Sequence, residues 1–112
     1  MNDALQALAE PRRRRILTLV RDRELAVSEI AAQFDVTRPA ISQHLRVLKE
    51  AGLVTDRREG TRRYYRAVPE GLAELRAFVE WFWDARLEAL KDAAEAEERR
   101  NRRAGNGKRK QR

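Results

Sequence analysis

Between Val27 and Leu53 the chain carries two amphipathic segments separated by only four residues, and this spacing constrains the fold more than any other feature. The first, EIAAQF, sets Ile30, Ala31 and Phe34 on one stripe, and the second, PAISQHLRVLKEAGL, repeats Ile41, Leu45 and Leu48 at helical spacing. Asp35, Val36 and Thr37 interrupt the pattern, so the segment reads as helix, tight turn, helix. Thr37 is a good N-cap, and Pro39 is tolerated in the first turn because the leading N–H groups have no intrahelical partner. Gly52 closes the second helix. Asp35 is expected to take a left-handed conformation in the turn, which Asp tolerates better than most side chains.

The period changes after Gly52. VTDRREGTRRYYRAV reads as two strands around Glu59-Gly60-Thr61, with Val54, Tyr64 or Tyr65, and Val68 turned inward. Upstream, Leu5 and Leu8 lie one turn apart, and Pro11 restarts a helix with Ile16, Leu17 and Val20 at helical spacing. From Pro69 a last helix carries Leu72, Leu75, Val79, Phe82, Trp83 and Leu90 in a long stripe. The fold class is therefore mainly α with a small β-hairpin.

A length of 112 residues suits one domain. With no cysteine and one histidine, thiolate sites, cysteine nucleophiles and most zinc sites are excluded, and neither a cofactor nor catalysis is expected. No apolar run is long enough for a membrane span, and a cytoplasmic protein without membrane contact is expected. The net charge of +7 is unevenly spread. Residues 99–112 hold eight Lys/Arg and no acid, residues 37–66 hold eight against three acids, and residues 69–98 hold three against nine. Such segregation favours a defined anionic partner over a uniformly solvated surface. The expected organisation is a domain over residues 1–98 and a basic, disordered tail over 99–112, with Gly105, Asn106 and Gly107 ending any helix. Four consecutive arginines, 12–15, cannot share one helix face, so some are free to reach phosphates while others serve neighbours.

Rotating the second helix about Ile41, Leu45 and Leu48 turns Pro39, Ser42, Gln43 and Arg46 outward, flanked by Thr37, Arg38 and Lys49. Gln can pair bidentately with adenine and Arg with guanine, so this face suits base edges in a major groove. His44 sits beside the helix core, where it serves either a phosphate or packing. Arg57, Arg58, Arg62, Arg63 and Arg66, with Tyr64, gather around the Gly-centred hairpin tip, as a wing touching phosphates would require. Glu80, Asp84 and Glu88 form a carboxylate row at i, i+4, i+8 that reads as a solvated helix face.

Three stretches, ALAEPRRRRIL, VSEIAAQFDVTRPAISQHLRVLKEAGLV and DRREGTRRYYR, together resemble an ArsR/SmtB-type winged helix-turn-helix regulator over residues 4–90. The resemblance implies a homodimer whose first and last helices pack across a two-fold axis. Leu5, Leu8, Leu72, Leu75, Val79, Phe82, Trp83 and Leu90 would then form the dimer interface. It also implies where metal-sensing members place a cysteine pair: Ala26 and Ser28 stand there, neither a thiolate ligand, and the last helix has no histidine. A metal-free member is expected, similar to the branch often associated with START-like (SRPBCC) proteins. Phe78, Trp81, Phe82 and Trp83 are either an effector pocket or core and interface, and no effector is named. The function expected is a homodimeric repressor binding double-stranded DNA at an imperfect inverted repeat. The alternatives are a nonspecific architectural DNA binder and an interaction module using the acidic last helix.

Overall fold

The computed structural model describes residues 1–110, with side chains described to residue 104. Two compact units divide between Arg76 and Ala77. The first contains helices α1 (Asn2–Ala9) and α2 (Pro11–Leu19), strand β1 (Leu25–Ala26), helices α3 (Val27–Ala31) and α4 (Arg38–Glu50), strands β2 (Val54–Glu59) and β3 (Arg62–Ala67), and a 3-10 turn over Pro69–Leu72. Helix α5 (Ala73–Lys110) begins in it, and the rest of that helix forms the second unit.

Local chemistry sets most boundaries. Glu10 caps α2, its carboxylate accepting from the Arg12 and Arg13 amides at 2.7 and 3.2 Å, with Pro11 in the first turn. Thr37 caps α4 as expected, accepting from the Ala40 amide. At the far end of α4, Gly52 takes φ +77° while its N–H donates to Lys49 and that of Leu53 to Leu48. This is a Schellman cap, and Leu48 and Leu53 are both fully buried beside it. The turn differs from expectation: α3 stops at Ala31, short of Phe34, and among the described residues none but glycine has positive φ, so Asp35 is not left-handed. Single hydrogen bonds from Gln33 to Ile30 and from Phe34 to Ala31 carry the chain round instead.

The core follows the stripes. Ile16, Val20, Ile30, Ile41, Leu45, Leu48 and Leu53 are completely buried, with Ala4, Ala7, Leu25, Val54 and Tyr65 around them. Tyr65 rather than Tyr64 is the inward tyrosine, since its register partners are Asp56 on β2 and Leu25 on β1. Strand β1 makes the sheet three-stranded, in the order β1-β3-β2, all antiparallel. Two residues are too few to show alternation, so the sequence offered no sign of it.

Helix α5 also differs from expectation, continuing through Gly105 and Gly107 to Lys110; residues 111 and 112 of the expected tail lie outside the described residues. A glycine costs a helix only about 1 kcal/mol relative to alanine. Upstream, Arg100–Glu97 and Arg102–Glu98 pairs at 2.8 and 3.0 Å support the helix at i,i+3 and i,i+4 spacing. No described helix is long and apolar enough to cross a membrane.

Candidate nucleic-acid interface

Helix α4 is divided by its own periodicity. Ile41, Leu45 and Leu48 anchor it in the core, while Thr37, Arg38, Pro39, Ser42, Gln43, Arg46 and Lys49 are all exposed. Among the described residues Arg38 and Arg46 have no side-chain partner, so both guanidiniums are available to an outside anion. His44 stands apart. Its side chain is 17 % exposed, Nε2 lies 4.0 Å from the Glu10 carboxylate, and Nδ1 is buried without a hydrogen bond. It packs toward the start of α2, on a different side of the helix from Gln43 and Arg46.

The wing has two faces fixed by its register. Arg57 pairs with Tyr64 and Glu59 with Arg62 on one face, and Asp56 with Tyr65 and Arg58 with Arg63 on the other. Several wing cations are already engaged. Arg57 donates to Glu24 at 2.7 Å and Glu59 at 2.9 Å, and its guanidinium lies 4.9 Å from the Tyr64 ring centre. Those partners raise the Arg57 pKa, and the Arg57 hydrogen bond holds the Glu24 carboxyl below the usual range. The Arg62 guanidinium is likewise held charged, chiefly by the Tyr64 hydroxyl. Arg63 donates to Asp56 at 2.9 Å, and Lys49 of α4 reaches the same carboxylate at 2.8 Å. Lys49 and Arg63 lower the Asp56 pKa against the cost of burial, with the Lys49 hydrogen bond the largest cause. Asp56 therefore stays ionised at neutral pH, and the stability it contributes is lost only in acid, as pH falls through its lowered native value. Arg58, one residue from the Glu59–Arg62 end of the hairpin, is exposed and has no partner among the described residues.

The arginine run 12–15 separates into distinct roles that sequence reasoning left open. Arg13 donates to the Ala7 and Gln6 carbonyls at 2.7 and 3.1 Å, and Arg14 to those of Leu8 and Ala9 at 2.6 and 3.3 Å. Both therefore cap the C-terminus of α1, whose last carbonyls have no intrahelical donor. Arg15 donates to the Gln33 carbonyl at 2.9 Å and lies 4.6 Å from the Phe34 ring centre, bracing the turn before α4. Arg12 is left beside Glu10 at 3.7 Å.

The residues expected at a dimer seam also divide. Leu8 and Leu72 pack partly against the core, and Leu75 is half-buried. Leu5 is 44 % exposed. Within α5, Val79, Phe82, Trp83 and Leu90 are exposed, as are Phe78, Trp81 and Leu87. The four aromatics line no cavity among those described; Phe78 and Trp81 lie 6.3 Å apart in a tilted pair. A metal finds no fit at the positions implied by the family resemblance. Ala26 is buried and its amide is taken by Glu29 at 2.9 Å, Ser28 is no thiolate, and no three His, Asp or Glu side chains gather among the described residues.

A short helix bracing an outward-polar second helix, followed by a basic antiparallel wing, defines a winged helix-turn-helix protein, a DNA-binding class. Known proteins agree. The profile of the bacterial regulatory protein arsR family matches residues 10–56. The HTH-type transcriptional regulator Rv2034 of Mycobacterium tuberculosis is 51 % identical over 84 residues, 75 % of this chain and 78 % of that protein. The transcriptional repressor SdpR of Bacillus subtilis is 38 % identical over 65 residues, 58 % of this chain and 72 % of the repressor. Among solved structures, the homodimeric winged helix-turn-helix DNA-binding domain of Mb0332 from Mycobacterium bovis, a possible ArsR-family regulator, superposes with a TM-score of 0.60 at 42 % identity. That match covers 74 % of this chain and 77 % of the domain. This chain belongs to the ArsR family: it is a transcriptional regulator and not an enzyme.

Proposed function

We propose that the protein is a homodimeric repressor that occupies an inverted-repeat operator, each copy laying α4 in a major groove. The observation that carries this reading is the outward face of α4, where Ser42, Gln43 and unpaired Arg46 stand exposed over a fully buried Ile41, Leu45 and Leu48. Gln43 and Arg46 read bases, because their side chains offer the paired donors and acceptors that base edges require. Thr37, Arg38, Pro39, Arg58 and Arg62 face the phosphate backbone. Arg57, Arg63 and Tyr64 keep a supporting role in the wing, since both cations already hold carboxylates, and His44 positions α4 from behind. Glu50, one turn beyond Arg46, puts a carboxylate at the end of the strip. Its relative SdpR is a repressor and its neighbour Mb0332 is homodimeric, which supports both parts of the reading. Ala26 and Ser28 leave no thiolate for metal-triggered release. The regulator acts where promoter DNA lies, in the cytoplasm, with residues 1–98 as the binding domain and the basic residues 99–112 adding attraction to any duplex.

Mutation separates this from nonspecific architectural binding. On a duplex selected by the wild-type protein from random sequence, Gln43→Ala or Arg46→Ala should cost about 1–3 kcal/mol and relax base preference. Arg58→Ala or Arg62→Ala should weaken selected and scrambled duplexes alike and lower the salt slope by about 1. Gel shifts across a salt series read both. Identical sequence profiles for the two sets would refute the base-reading role of α4.

The dimer rests on α5, whose exposed apolar arc is broad. Phe82 is 55 % exposed, so Phe82→Glu should spare the packed core and instead lower the dimer fraction in light scattering. A mutant that remains dimeric and binds DNA normally would place the interface elsewhere.

A further inference from the structure

Three side chains from three elements converge behind the DNA-facing strip. Asp56 is the fulcrum: it lies on the same face of β2 as Val54, which is buried, and only 10 % of its own side chain is exposed. One carboxylate oxygen takes Lys49 from the last turn of α4 at 2.8 Å, and the other takes Arg63 from β3 at 2.9 Å. Among the described residues this is the one polar side-chain link between α4 and the wing. Backbone bonding between α4 and the wing is confined to the root, through Leu53 to Leu48 at the end of α4 and Val68 to Leu53 at the end of β3, while β1 and the Val20 carbonyl hold β3 from elsewhere.

We infer that Asp56 is a specificity-determining positioning residue, which sets the wing against the recognition helix and keeps Lys49 and Arg63 from binding phosphate indiscriminately. The inference rests on the DNA-binding reading above. It has two physical parts. A carboxylate bonded to both α4 and β3 holds the two DNA-facing elements at one spacing, so base contacts and wing contacts can be made together only in the correct register. The same carboxylate also neutralises two cations that would otherwise strengthen attraction to any duplex, and attraction without base identity dilutes selectivity. Asp56 touches no base in this arrangement. It acts through Lys49 and Arg63.

The test compares wild type, Asp56→Asn and Asp56→Glu on the duplex selected from random sequence and on its scrambled version, by gel shift across a salt series. Asp56→Asn keeps the side chain's size and removes the charge. Its expected result is tighter binding to the scrambled duplex, with a salt slope steeper by about 1 to 2 as one or both freed cations reach phosphate. Selectivity should fall by roughly tenfold, the order of a single misplaced base contact. Asp56→Glu, which restores the charge, should return the slope toward wild type. A general structural defect would move the scrambled duplex the other way, weakening it, and that result, or an unchanged slope and ratio, would overturn the inference. Wild-type protein that failed to distinguish the two duplexes would instead remove the base-reading proposal. The salt slope of Asp56→Asn on either duplex would still decide whether Asp56 withholds the two cations.

Discussion

Leu45→Ala is expected to lower the unfolding free energy by about 2–5 kcal/mol, because it opens a cavity beneath the middle of α4 where the native side chain has no exposed surface. For a small domain with roughly 5–15 kcal/mol in total, such a loss is a large fraction. The outward Ser42, Gln43 and Arg46, proposed to read bases, are untouched, so the mutant that remains folded at low temperature should keep the wild-type sequence preference while its active fraction falls. Denaturant titration at one fixed protein concentration measures the loss, since self-association raises apparent stability with concentration. A change under about 1 kcal/mol would mean that α4 is not held by this core.

Gly71→Ala should rank beside it, although Gly71 lies in a short turn and has no positive φ. A methyl group there would strike the Gly52 carbonyl oxygen, with the Gly52 carbonyl carbon at 2.9 Å and Leu53 Cδ2 at 3.2 Å. The neighbours cannot easily give way. Gly52 is the left-handed residue of the Schellman cap on α4, and Leu53 is fully buried. Overpacking against fixed backbone costs about 1–3 kcal/mol and at times more. Because relief of the clash would shift the end of α4, DNA affinity should fall together with the melting temperature. Gly60→Ala is the control: its φ of +62° strains any side chain, yet nothing lies within 4 Å of the added carbon. Its cost should stay near 1 kcal/mol, the ordinary left-handed penalty, with DNA affinity at most modestly changed. Equal effects at the two glycines would show that crowding at Gly71 contributes nothing.

The elements that repeat a local rule were legible in the residues alone. Ile41, Leu45 and Leu48 recur with the helical period, Thr37 and Gly52 bracket that helix with cap chemistry, and Glu59-Gly60-Thr61 marks a two-stranded turn; each signal depends on neighbours a few positions away. The outward set of Ser42, Gln43 and Arg46 follows from the same period, because burying one face of a helix determines the other. Partnership among charges is a different matter. The sequence leaves open which of the arginines 12–15 serve neighbours, and folding makes Arg13 and Arg14 caps of α1; Arg57 and Arg63 look like wing-tip cations, and in the fold they hold Glu24, Glu59 and Asp56. A basic side chain has no periodic preference among a carbonyl, a carboxylate and a phosphate, so its assignment depends on which group folding brings within about 3 Å. The same holds for strand β1, whose two residues become a strand only because β3 offers them hydrogen bonds, and for Gly71, whose small size matters only against the distant Gly52 carbonyl. Periodicity thus determined the helices, the hairpin and the outward polar strip of α4, while tertiary contact decided which cations remain without a partner among the described residues.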